Sequence, residues 1–135
     1  MSKIKYFLNN TLVNDLTLVR GKTHHGEFTY GPVQTVAAQT TSPVELFKVE
    51  SHGSGVKGHV SYRLPDKSNL VCMFEVTSAG NEQYSFYALI QNPEGVFSYP
   101  QYFVDSVTST LPMGIEATTT SENDKIEVTV TLKPI

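Results

Sequence analysis

Residues 49–65 read "VESHGSGVKGHVSYRLP". Residues 53–60 within it spell G-x-G-x-x-G-x-V, the pattern of a dinucleotide-binding turn and of a kinase glycine loop. The residues after the glycines decide between these readings. A dinucleotide turn opens a helix, whose N-terminus holds the pyrophosphate. Here "HVSYRL" sets Val60, Tyr62 and Leu64 against His59, Ser61 and Arg63 and stops at Pro65, which is a strand with period two. A kinase loop does join two strands, but no V-A-I-K, H-R-D or D-F-G motif accompanies it in 135 residues. The glycines therefore serve a connection that needs positive φ or close backbone approach. The stretch reads as strand, glycine-rich connection, strand.

The same alternation extends through the chain. "KIEVTVTL" places Ile126, Val128, Val130 and Leu132 on one face, opposite Glu127, Thr129 and Thr131. In "VELFKVES" the apolar set changes face between Leu46 and Phe47, which predicts a bulge or a bend. "NLVCMFEVT" is apolar on both faces and predicts a central strand, and "QYSFYALIQ" predicts a further strand with Tyr84, Phe86, Ala88 and Ile90 against Ser85, Tyr87 and Leu89. Turn signals separate the runs at Asn9-Asn10, Gly21, Gly26, Gly31-Pro32, Ser42-Pro43, Pro65-Asp66, Gly80-Asn81, residues 92–95 and Asn123-Asp124. Residues 105–124 predict a loop and then a Thr-rich edge strand. No window keeps a helical period. The expected fold is all-β, a single antiparallel β-sandwich domain over residues 1–135.

Composition narrows the function classes. The net charge of -3 with thinly spread Lys and Arg gives no basic stripe for a phosphate backbone, so nucleic acid is not an expected partner. A single cysteine, Cys72, rules out an internal disulfide, and its place in "LVCMF" predicts a buried, inert thiol. "MSKIKYFLNNTLVND" is too short an apolar run for a signal peptide, and no stretch has the length of a spanning helix. The expectation is a soluble protein, cytoplasmic or released without a signal peptide. Asn9-Asn10-Thr11 spells a glycosylation sequon but reads as turn chemistry.

Residue chemistry gives few candidate sites. His24 and His25 are adjacent, and neighbours on a regular strand point to opposite faces, so they do not ligate together. His52 and His59 bracket the glycines. No H-x-H, C-x-x-C or H-E-x-x-H spacing occurs, so no metal site and no cofactor are expected. No G-x-S-x-G elbow occurs and the carboxylates are scattered, so no catalytic residue is assigned and the chain does not read as an enzyme. The aromatic run "GVFSYPQYF" is more informative. Core packing accounts for part of it, while a rim of Tyr and Phe suits a membrane interface or a sugar ring.

The order of features resembles the aegerolysin family, in particular its bacterial insecticidal members. The colinear set is a strand ending in Asn9-Asn10, the turn at Gly26 with Phe28, then Phe47, Glu50 and Ser51, then Gly55, Gly58 and Tyr62. It spans about residues 3–90, and Phe74 takes the position of an aromatic corner in that family. The resemblance implies a β-sandwich that recognises membrane lipid, often a sphingolipid, and acts with a larger pore-forming partner as the binding half of a two-component toxin. The binding residues expected are Lys22, His24, His25, Tyr30, Phe97, Tyr99, Tyr102 and Phe103. The competing expectation is a carbohydrate-binding, lectin-like module whose ligand is a glycan headgroup. Oligomeric state stays open at this point.

Overall fold

The computed structural model describes residues 2–53, 55–65, 67, 69–76, 84–91, 106–108, 113–122 and 125–134. Among them there is no helix, and eleven strands form two sheets. The first sheet contains β1 (Ser2–Asn10), β3 (Glu27–Tyr30), β5 (Val44–Ser51), β9 (Ser106–Thr108), β10 (Met113–Glu122) and β11 (Lys125–Pro134). Its order is β3-β5-β1-β11-β10-β9. The second contains β2 (Leu16–His25), β4 (Thr35–Val36), β6 (Val56–Arg63), β7 (Asn69–Val76) and β8 (Tyr84–Gln91), in the order β4-β2-β6-β7-β8.

The alternating runs become the inner faces. Ile126, Val128, Val130 and Leu132 are buried in one core with Ile4, Tyr6 and Leu8 of β1 and with Val60, Tyr62, Leu70 and Phe74 of the opposite sheet. Aromatic rings bridge the layers. Tyr6 stacks on Phe47 at 5.0 Å, and Phe74 approaches them at 6.4 and 5.6 Å. Pairs of this kind add about 0.5–1.5 kcal/mol each beyond area burial. The Tyr6 hydroxyl donates to the Met73 carbonyl, and that of Tyr62 donates to the Val33 carbonyl at 2.9 Å, so neither buried phenol is orphaned. Cys72 is fully buried and its thiol is pushed up to about 12 by desolvation, as an inert core cysteine should be. β7 is buried on both faces, Val71 and Met73 included, and lies between β6 and β8.

Of the bulge or bend expected in "VELFKVES", the structure has the bulge. Tyr6 pairs with Phe47 and Phe7 with Glu45, so Leu46 is the extra residue. The shift lets Leu46 and Phe47, neighbours in sequence, both reach the core. The Leu46 carbonyl accepts from the Val33 N–H at 3.0 Å.

Three expectations need correction. The sandwich is not wholly antiparallel, because β1 and β11 run parallel with Ile4 beside Ile126 and Leu8 beside Val130. The two strands come from opposite ends of the chain, so no hairpin constrains their direction. Gly21 is not a turn but lies inside β2. A Cβ there would meet the Pro32 ring at 2.7 Å, so the residue is small for packing rather than for turning. The Thr-rich strand β10 is not the sheet edge along its whole length, since β9 covers it at Gly114–Glu116.

The glycine-rich stretch carries the chain from one sheet to the other, between Ser51 and Val56. Gly55 takes φ 92°, a conformation that residues with a Cβ rarely adopt. At Gly58 the reason is space, because a Cβ would run into the Lys22 carbonyl oxygen and come 2.8 Å from Phe74 Cζ. At the other end of the sandwich Asn10, fully buried, ties down the loops. Its Nδ2 donates to the carbonyls of Asn14 (3.0 Å) and Ala37 (3.2 Å), and its Oδ1 accepts from the Leu12 N–H (3.1 Å). Asn9 Oδ1 accepts from the Thr40 hydroxyl at 2.8 Å. The sequon-like triplet is thus turn chemistry.

Candidate functional site

The outer face of the second sheet gathers positive charge where β2 meets β6. Antiparallel pairing sets Lys22 against His59, Arg20 against Ser61 and His25 against Lys57. These residues share the solvent-side face, because Val60, Tyr62 and Val56 of β6 point into the core. The β2 backbone is irregular at two points. The register skips Val19 and then His24. His24 follows Lys22 on the outer face by alternation, its ring centroid 6.2 Å from that of His59, and the second bulge brings His25 opposite Lys57 on the same face. The sequence argument that adjacent histidines must diverge assumed a regular strand, and this strand is not regular.

The resulting cluster is Arg20, Lys22, His24, Lys57 and His59, with His25 beside it. Arg20, Lys22, His24 and His25 are exposed, Lys57 is half-buried, and His59 is only 7% exposed. Lys57 pairs with Glu75 at 3.9 Å. His59 is lowered from 6.5 to about 4, first by desolvation and then by Arg20, His24 and Lys22. His24 is lowered in the same direction by desolvation, then by Lys22 and Lys57. Both histidines are therefore neutral near pH 7, offering ring N–H donors beside permanent cations. The chemistry that such a group suits is recognition of an anion with several acceptor oxygens.

Among the residues singled out from sequence, Lys22 and His24 come together here, with His25 adjacent. Tyr30 does not join them. It is 45% exposed, but it lies on β3 in the other sheet, in register with Lys48. Phe97, Tyr99, Tyr102 and Phe103 lie outside the described residues. Sequence reading missed Arg20, Lys57 and any role for His59. The signal that could have found them is β2–β6 pairing, which joins positions more than thirty residues apart. No three His, Cys, Asp or Glu side chains among the described residues are placed to hold a metal ion. No helix there is long and apolar enough to cross a membrane.

The fold, an all-β sandwich, is shared with solved binding proteins. The crystal structure of the lipid binding protein Nakanori superposes with a TM-score of 0.72 at 12% identity, covering 98% of this chain and 71% of the other. The wild-type lectin XCL of Xerocomus chrysenteron superposes at 0.66 with 15% identity, covering 98% and 99%. At these identities the likeness is one of fold. No protein-family model matches the chain, and no curated protein matches it by sequence.

Proposed function

We propose that this chain is a single-domain, non-enzymatic binding module for a membrane lipid, whose phosphate-bearing headgroup docks on the outer face of β2 and β6. The observation that carries the reading is the convergence of the exposed Arg20, Lys22 and His24 with Lys57 around the buried His59 on the outer face of β2 and β6. In a chain of net charge -3, such a local excess of cations has no counterpart in overall composition. Fold-level likeness to a lipid binding protein supports the class of ligand. On this reading the aegerolysin resemblance holds, a sphingolipid is the lipid to try first, and the chain acts as the recognising half of a two-component cytolytic or insecticidal toxin with a larger pore-forming partner. Phe97, Tyr99, Tyr102 and Phe103 would supply interfacial contacts, whereas Tyr30, on β3 of the other sheet, would not.

The test is sedimentation with vesicles of phosphatidylcholine alone and with added sphingomyelin. Binding to the second set, reduced roughly tenfold or more in a Lys22→Ala/His24→Ala variant, is the expected outcome. No sedimentation with either set removes the reading. A carbohydrate ligand is the second reading, favoured by the end-to-end match to a lectin of nearly the same extent. Saccharide binding on a glycan array without vesicle binding would establish it instead.

A further inference from the structure

The opposite face of the sandwich, on the outside of the first sheet, holds a second gathering of cations that the β2–β6 site does not use. Lys3, Lys5, Lys125, Ile126 and Glu127 line a concavity of about 230 Å³ over the parallel β1–β11 pair. Inner-face alternation buries Ile4, Tyr6, Ile126 and Val128, so Lys3, Lys5, Lys125 and Glu127 all project outward. Parallel register places Lys3 directly beside Lys125, and antiparallel register places Lys5 opposite Lys48. Like charges in such pairs are destabilising. With Lys48 and Lys133 included, five of the ten Lys and Arg residues of the chain stand on three adjacent strands, Lys133 at the far end of β11.

The carboxylates nearby relieve only part of this. Glu50 lies 3.6 Å from Lys3 and 3.9 Å from Lys48. Glu127 is in register with Lys5 and Glu122 with Lys125. Among the side chains that the structure describes, no carboxylate oxygen lies within 4.0 Å of Lys5 or Lys125. Two ammonium groups thus border a depression with no salt bridge to a described side chain, and each carries three donors and no acceptor. The volume is below the roughly 300 Å³ at which drug-sized pockets begin, so the occupant is compact.

We propose that this concavity is an anion site for the phosphate group of a small hydroxylated phosphoester, with Lys3, Lys5 and Lys125 donating to its oxygens. Glu127, at the rim, accepts from a hydroxyl of the same molecule. Lysine suits this role as a point charge with rotatable donors. The phosphoester can come from solution, as a glycerol or sugar phosphate, or from the headgroup of a phosphoinositide. The site is independent of the β2–β6 face, because the two look away from each other across the core.

The experiment is titration of the full chain with glycerol phosphate, read by backbone amide chemical shifts. Shifts at residues 3–5 and 125–127 are expected. They should weaken roughly tenfold or more in a Lys5→Gln/Lys125→Gln variant and be restored in Lys5→Arg/Lys125→Arg. Lys22→Ala, on the opposite face, should leave them unchanged, which separates this site from the β2–β6 site. Both substituted lysines project from the sheet, and thermal melting of each variant checks that it folds. Sedimentation with phosphatidylinositol-phosphate vesicles distinguishes the sources. Pelleting that the double Gln variant loses assigns a lipid headgroup, whereas shifts without pelleting assign a soluble phosphoester. Absence of shifts at residues 3–5 and 125–127, or shifts that the double Gln variant leaves intact, overturns the proposal.

Discussion

Strands β1 and β2 are consecutive in the chain and nearly equal in length, yet they do opposite work. β1 lies between β5 and β11, and Ile4, Tyr6, Leu8 and Asn10 alternate into the core with no exposed surface. β2 pairs with β6 on one side, and on the other with β4 only at Leu16 and Thr17. It is bulged twice and mostly exposed. The strand held from both sides specifies the fold, and the one held from a single side is free to carry binding chemistry. The same bulges and charges also blunt an edge that would otherwise invite pairing with another chain.

The sharpest way to break the contrast is to attack the contact that seats β2. Gly58→Ala forces a methyl group against the Lys22 backbone and the Phe74 ring. We expect a loss of about 3 kcal/mol or more in chemical denaturation, since backbone cannot yield as a flexible side chain does. A loss below 1 kcal/mol would show that β2 rides loosely on β6. At the end of β1, Asn10→Ala removes three side-chain hydrogen bonds and strands a buried amide and two carbonyls. The expected cost is about 2–4 kcal/mol, measured the same way.

A smaller effect comes from pH. His59 titrates near 4 in the folded chain and near 6.5 when unfolded. Between those values the unfolded state binds more protons, so stability falls as pH drops through that window. With allowance for solvent screening, the expected loss is about 1–2 kcal/mol by pH 4, and a His59→Gln variant should show a shallower fall over the same range. A bound anion favours the protonated ring, so ligand affinity should rise as pH falls. Smallest of all is Val19→Thr on the first bulge of β2. Val19 is 43% exposed, and the change should stay within about 0.5 kcal/mol by thermal melting.

Legibility in the sequence follows the same division. "KIEVTVTL" could be read directly because each strand residue meets either core or solvent, and alternation records which. The Leu46 bulge was legible for the same reason, as a break in that record. "LTLVRGKTHH" resisted reading, because an edge strand carries no such constraint on its exposed face. Gly21 looked like a turn there, since the Pro32 ring that occupies its missing side chain comes from another part of the chain. Two of the five members of the cationic face, Lys22 and His24, were visible. Arg20, Lys57 and His59 were not, because charge on a strand shows no sign of which strand lies beside it.

By itself the sequence determined the all-β class, the inner faces of the regular strands and the exclusion of a nucleotide loop at residues 53–60, because these depend on local periodicity and on the residues just after the glycines. Only the tertiary structure decided that β1 runs parallel to β11, that β2 lies against β6, and that cations distant in sequence meet on two opposite faces. Strand pairing is a long-range choice, made by the burial of whole faces against one another, and no short stretch of chain contains it.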